Sequence, residues 1–192
     1  MKSKWIYIAV AVALGLYLMS TYNGLVKQRQ EVKAKWAQVE VQLQRRTDLI
    51  LSLVKTVKGY AKHESETLEK VVAARAKATQ ITVDPNKLDA ESMAKVAQAQ
   101  GELSQALGRL MMITEAYPDL KANENFMMLQ AEISGCENRL AVERKRYNET
   151  AQSYNSAILV FPRNLIANFL GFTEVAYYQA DAGAQKAPDF EF

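Results

Sequence analysis

Residues that supply most catalytic and metal-binding chemistry are scarce in this 192-residue chain, which contains one cysteine and one histidine. Cys136 alone cannot form an internal disulfide, and His63 alone cannot supply a His-rich metal site. The pair His63-Glu64 does not make a zinc-protease motif, because the position four residues after His63 is Thr67. We therefore expect no catalytic residues, no metal site, no cofactor and no enzymatic activity.

Helix-breaking residues and an excess of charge of one sign are also scarce. With only 4 prolines and 8 glycines, long stretches are expected to be continuous helix. The 24 basic side chains face 21 acidic ones, which indicates a mixed surface. The basic run at 144–146 lies between Glu143 and Glu149, so no nucleic-acid partner is expected.

One segment near the amino terminus has no charge at all. Between Lys4 and Lys27 lie 22 uncharged residues, about 33 Å as a helix, enough for a hydrocarbon core of about 30 Å. A cleaved signal peptide is the alternative, but no small-x-small site ends the apolar run. We predict a membrane anchor over residues 1–24, whose span includes Trp5, Ile8, Val12, Leu16 and Met19.

Basic residues on the two sides of the predicted span are nearly balanced. Lys2, Lys4 and the terminal amine precede it, whereas Lys27, Arg29, Lys33 and Lys35 follow it within about twenty residues. The following charges are interspersed with Glu31, as on a solvated helix. We expect the amino terminus inside and the bundle outside the cytoplasm, with the cytoplasmic side left open.

The rest of the chain shows helical periodicity and no convincing strand. Apolar residues recur at steps of three and four over residues 25–78, 88–117 and 123–161, and Asn123 is a good cap for the third stretch. A shorter apolar segment follows Pro162. The pattern predicts an all-α, elongated antiparallel bundle over residues 25–182, with three long helices and a shorter carboxyl-terminal one, and a tail over 183–192.

The helix predicted over residues 25–78 is much longer than the next one. If the second helix folds back from the distal end, the apolar face near the membrane lacks a partner, and such a face seldom stays bare. Two hypotheses follow: self-association, giving a homo-oligomer, or coverage by the carboxyl-terminal segment. The residues of this stripe are Val32, Trp36, Val39 and Leu43.

Charged residues at or beside the core face suggest a second feature. One hypothesis is an interhelical polar layer that fixes the register of the bundle; the other is solvated charge with apolar stems packed beneath. The residues predicted for the layer are Arg46, Asp48, Arg139, Glu143 and Arg144.

Two interpretations are also open for the segment FPRNLIANFLGF. It either packs as the last helix of the bundle, which we favour, or lies on a membrane surface.

Two stretches, TYNGLVKQRQEVKAKWAQVEVQLQRRTDLILSLVKTVKGYAKHE and YPDLKANENFMMLQAEISGCENRLAVERKRYNETAQSYNSAILVFPRNLIANFLGF, resemble the LemA family. The resemblance covers residues 22–192. It implies a bacterial membrane protein with a long helical bundle, anchored by one span or by lipid, and without established enzymatic activity. No cysteine precedes Tyr22, so a single span in the cell (inner) membrane is expected here.

The resemblance also implies partners. Family members associate with other membrane proteins, among them proteolysis-linked factors, and one magnetosome-associated branch shapes membranes. The expected function is a non-enzymatic scaffold or adaptor that contacts the bilayer, self-associates and organises membrane proteins. The alternative is an accessory regulatory subunit of a membrane protease or another membrane complex.

Overall fold

The chain is an all-α antiparallel helical bundle on an apolar amino-terminal helix, as predicted. A computed structural model describes residues 2–61 and 63–179; the predicted tail over 183–192 lies outside the described residues. Within these ranges the helices are α1 (Lys2–Tyr60), α2 (Ser65–Gln80), α3 (Ala90–Thr114), α4 (Pro118–Lys121), α5 (Glu124–Leu159) and α6 (Arg163–Phe169).

Helix α1 joins the predicted anchor to the bundle without a break. Its 59 residues pass through the predicted boundary at residue 24 as continuous helix. Helix α5, 36 residues long, runs antiparallel along it and is its main partner. Asn123 caps α5 as predicted, because its Oδ1 accepts the backbone N–H of Phe126 at 3.1 Å.

The prediction of one helix over residues 25–78 was wrong. Helix α1 ends at Tyr60, and α2 begins at Ser65 and folds back along α1. Leu68 and Val71 of α2 are buried in the same apolar cluster as Leu53 of α1. The apolar spacing therefore continues across the break, and periodicity alone could not reveal it. Gly59 was the only local signal.

The helix predicted after Pro162 is also shorter than expected. Helix α6 has seven residues and ends in a Schellman motif, in which Phe172 N–H donates to Ala167 O at 2.9 Å and Gly171 N–H to Asn168 O at 3.3 Å. Gly171 has φ +73°, the left-handed region that favours glycine. The chain then continues over residues 172–179 without helix.

The core consists of two apolar clusters along the bundle. The proximal cluster, nearer the predicted anchor, contains buried residues of α1, α3 and α5 and of the segment 172–179, among them Val32, Trp36, Tyr147, Tyr154 and Tyr178. The distal cluster is formed by α1 to α5, with Ile50, Leu53, Leu103, Leu110 and Phe126 among its members.

Candidate functional site: a polar layer and exposed apolar surfaces

The first surface is the amino-terminal part of α1. All residues from Lys4 to Ser20 are exposed, although most are apolar. The five predicted span residues lie on this bare stretch. This helix is long and apolar enough to cross a membrane. The five predicted span residues are Trp5, Ile8, Val12, Leu16 and Met19.

The predicted self-association stripe is placed in the core of a single chain. Val32 and Val39 are fully buried, and Trp36 is 1% exposed; Leu43 is partly buried against the same cluster. The Trp36 ring packs edge-on against Tyr147 at 5.4 Å between centroids. The hypothesis that these four residues face a second copy is therefore corrected, because α5 and the carboxyl-terminal segment cover them.

That carboxyl-terminal segment is held by two asparagines of α5. Asn155 Oδ1 accepts the N–H of Val175 at 2.9 Å, and its amide nitrogen donates to Val175 O at 2.8 Å. Asn148 makes the same pair of bonds to Tyr178, at 2.8 and 3.0 Å. Each side-chain amide thus replaces the partner that a neighbouring strand would supply to an extended backbone.

Two tyrosines of α5 also bind the backbone of this segment, each through one hydrogen bond. The Tyr147 hydroxyl donates to Ala176 O at 2.7 Å, and the Tyr154 hydroxyl donates to Thr173 O at 3.0 Å. Burial raises the pKa of both hydroxyls, which keeps them protonated as donors.

The spacing of these contacts explains why they fit together. Seven residues of helix rise about 10.5 Å, and three residues of extended chain rise about 10 Å. Side chains seven residues apart on α5 therefore reach backbone groups three residues apart on the segment. The repeated pair Tyr147-Asn148 and Tyr154-Asn155 has this spacing. Sequence reasoning missed these residues as a functional set, although the repeated Tyr-Asn pair seven residues apart was a visible signal.

A polar layer lies between the two apolar clusters, and Arg46 is its centre. This side chain is 3% exposed. Its Nε donates to Glu137 Oε1 of α5, its Nη1 to Gln100 Oε1 of α3 at 2.5 Å, and its Nη2 to Ser104 Oγ at 2.7 Å. The guanidinium thereby ties α1, α3 and α5 together at one level and satisfies its own donors.

The structure does not bring the other four predicted residues into this layer. Asp48 instead forms an ion pair with Arg75 of α2 at 3.5 Å. Glu143 pairs with Arg146 on its own helix at 2.6 Å, and Arg139 is exposed. Helical spacing placed these side chains near the core face, but it could not identify Gln100 and Ser104, which are neutral and belong to another helix.

Arg144 has a different role. Its guanidinium carbon lies 4.3 Å from the centroid of the Tyr178 ring, a cation–π contact. The side chain therefore lies over the carboxyl-terminal segment and adds to the contacts that hold it on α5.

The single cysteine and the single histidine lie in different environments. Cys136 is fully buried, and burial, followed by the nearby Glu137 charge, raises the pKa of its thiol. His63 is exposed between α1 and α2. Among the described residues, no group of three or more His, Cys, Asp and Glu side chains is placed to hold a metal ion.

A small pocket adjoins the polar layer on the proximal side. It has a volume of about 210 Å³ and is lined by Trp36, Glu40 and Gln100, among others. Partial burial raises the pKa of Glu40, although the nearby indole N–H of Trp36 offsets part of this effect. The pocket is smaller than the roughly 300 Å³ at which small-molecule sites begin.

A wide open groove lies between α1 and α2, and we call it the α1–α2 groove. Its volume is about 760 Å³, and its lining is mainly apolar with lysines and a glutamate among it. Its residues are Leu51, Val54, Lys55, Lys58, Ala61, Ser65, Leu68, Glu69, Val72, Ala73 and Ala76.

Comparisons with known proteins agree over most of the chain. The sequence profile of the LemA family matches residues 35–192. Protein LemA of Metamycoplasma hominis is 28% identical over 158 residues, which are 82% of this chain and 68% of that protein. Magnetosome protein MamQ of Magnetospirillum gryphiswaldense is 30% identical over 184 residues, 87% of this chain and 68% of that protein. Magnetosome protein MamQ 1 of Paramagnetospirillum magneticum is 27% identical over 191 residues, which are 91% of this chain and 70% of that protein.

Proposed function

The chain belongs to the LemA family, and on this premise we propose that it is a membrane-anchored, non-enzymatic scaffold. In this proposal the bundle lies outside the cytoplasm of a bacterial cell and binds further copies of itself in the membrane. Other membrane proteins are additional partners that the same scaffold organises. The named relatives support a membrane setting, since two of them are called magnetosome proteins.

The observation that carries the proposal is the continuity of α1. Its first part is bare and apolar, and the same helix then forms the core of the bundle from Thr21 onward. An unbroken helix holds the bundle at a fixed angle to the span, without a hinge at Asn23-Gly24. A rigid projection from the membrane suits a protein that positions partners.

The α1–α2 groove supplies the contact surface in this proposal. Its apolar floor is open to solvent, whereas the predicted stripe around Trp36 is buried. Docking of a helix would remove Val72, which is 44% exposed, from water. The mixed charges of Lys55, Lys58 and Glu69 at the groove suit an amphipathic helix of mixed charge.

Crosslinking in native membranes tests self-association through this groove. A cysteine introduced at Val72 (Val72→Cys), treated with a bifunctional maleimide, is expected to give a product of twice the chain mass. Cys136 can remain, because it is fully buried and its raised pKa slows its reaction with maleimide. The unsubstituted chain should therefore give no product.

Val142→Cys is the matched control, since Val142 is also a valine and is 47% exposed, but lies on α5 outside the groove. A dimer from Val72→Cys and not from Val142→Cys supports the proposal. Equal yields from both variants, or monomers only, contradict it. A product of a different, constant mass would instead favour the accessory-subunit hypothesis.

A further inference from the structure

The corner between α5 and α6 exposes an unusual number of large apolar side chains. Phe169 is 89% exposed and Phe161 is 74% exposed. The only charge between residues 157 and 172 is Arg163, which is also exposed. A contiguous exposed patch of this kind marks a contact site. We call it the α6 corner; its residues are Leu159, Val160, Phe161, Leu165, Phe169 and Leu170.

The α6 corner lies beside the point at which α1 leaves the bundle. Ala167 of α6 is fully buried, and α6 packs against α1. Just after α6, the Phe172 ring lies 6.0 Å from the ring of Tyr22. Thr21 is buried, whereas residues 4–20 are exposed. The patch is therefore level with the carboxyl end of the bare stretch.

The length of the uncharged stretch sets the depth of this level in a bilayer. The 22 residues between Lys4 and Lys27 rise about 33 Å, and a hydrocarbon core is about 30 Å thick. With Lys4 and Lys27 just outside the core, Tyr22 and Thr21 are five and six residues before Lys27 and therefore lie about 5 to 7 Å inside its boundary with the headgroups. The α6 corner meets the bilayer at the same depth.

We propose that the α6 corner is a second membrane contact, in which α6 lies in the interface beside the span. Because α6 packs against α1 beside the end of its bare stretch, lipid around that stretch also reaches the corner. Phe161, Leu165 and Phe169 then contact the acyl region, while Arg163 reaches the phosphates. This inference rests on the membrane anchoring in the proposed function.

Spin labelling of the full chain in phosphatidylcholine–phosphatidylglycerol vesicles tests the contact. A nitroxide at Phe169→Cys is expected to collide more with oxygen, which concentrates in lipid, than with a water-soluble nickel chelate. Met112→Cys is the matched control, since Met112 is an exposed apolar residue, 68% accessible, two residues before the distal end of α3. There the nickel chelate should dominate, with an accessibility ratio severalfold lower.

A label at Val12→Cys in the predicted span separates this inference from its premise. If positions 12 and 169 both favour oxygen, the contact is supported. If position 12 favours oxygen but position 169 behaves like position 112, the α6 corner is not in lipid and the inference is overturned. Shielding of position 169 from both reagents would show that protein covers it, which also overturns the inference. Exposure of position 12 to the chelate would instead refute the anchor itself.

Discussion

The proximal and distal halves of the bundle share α1, α3 and α5, yet they are completed in different ways. The proximal half is rich in aromatic residues and is closed by the non-helical segment 172–179, which covers Trp36. The distal half is mainly aliphatic, is built from helices, and leaves the α1–α2 groove open. Arg46 marks the boundary between them.

The difference follows from the backbone requirements of the two kinds of element. An extended segment has N–H and C=O groups that need partners, and Tyr147, Asn148, Tyr154 and Asn155 supply them. A helix satisfies its own backbone, so α2 is held on α1 and α3 by side chains alone, through apolar packing and ion pairs such as Asp48–Arg75. The backbone of the closing segment in the proximal half is thus fixed by side-chain hydrogen bonds, whereas the distal half retains an open apolar surface.

The largest expected effect is at the boundary between the halves. Arg46→Met should lower the free energy of unfolding by about 2–4 kcal/mol, because it leaves buried polar groups such as Gln100 Oε1 without their donor. Glu137 is 40% exposed on its side chain and can be hydrated, which keeps the loss below that of a wholly buried pair. Urea denaturation of the full chain in mild detergent measures it.

Arg45→Met is the control for Arg46→Met. Arg45 is the adjacent arginine, but its side chain is 53% exposed and pairs with Glu132 at 3.6 Å. Its loss should change stability by at most about 0.5 kcal/mol. Similar losses for the two variants would mean that the layer does not join the halves.

A smaller effect, restricted to the proximal half, is expected for Asn155→Ala. It removes both bonds to Val175 and should weaken the attachment of the segment by about 1–2 kcal/mol, or about 5- to 30-fold in exchange rate. Hydrogen exchange at the Val175 amide measures this change, and the Leu103 amide reports on the distal half. Asn138→Ala, at an exposed position of α5, should alter neither. Faster exchange at Leu103 as well would contradict the separation of the halves.

The smallest expected effect concerns the pH dependence of the proximal pocket. Burial raises the pKa of Glu40 in the folded state, so the folded chain holds the proton more tightly than the unfolded chain. Stability then falls as the pH rises from the unfolded to the folded pKa, and the loss is complete above the latter. Glu40→Gln should therefore stabilise the protein near neutral pH by less than about 1 kcal/mol, because Glu40 is only partly buried.

Thermal unfolding as a function of pH measures the effect of Glu40→Gln. The stabilisation by this substitution should disappear at a pH well below the ordinary carboxyl pKa of about 4.3, where Glu40 is neutral in both the folded and the unfolded state. Glu31→Gln, at an exposed position of the same helix, should show no such advantage. A stabilisation by Glu40→Gln that is the same at every pH would contradict a charge effect.

Much of the architecture could be predicted from the sequence, because apolar spacing reports directly on helices. The all-α class, the cap at Asn123 and the helix ends near Pro118 and Pro162 followed from local rules. The break after Tyr60 did not, because α2 continues the apolar spacing of α1 after a reversal of direction. Apolar spacing indicates which face of a helix is buried, but it does not show where the chain reverses direction.

The candidate site was predicted less well for a related reason. Arg46 lay on the core face of its own helix, but its partners Gln100 and Ser104 lie on α3, 54 and 58 residues away along the chain. Trp36 was rightly expected to need a partner, and the choice between a second copy and the carboxyl-terminal segment depended on three-dimensional contacts. The Tyr-Asn repeat was readable in the sequence, but its meaning required the position of segment 172–179.

The unbroken α1 has a mechanical consequence. The 36 residues 25–60 of α1 extend about 54 Å, so they form a lever arm on the proposed span. A change in the tilt of the span by about 20°, which is the average tilt of membrane-spanning helices, would swing the far tip sideways by roughly 18 Å. The thickness of the membrane would thus be converted into a lateral displacement of the α1–α2 groove.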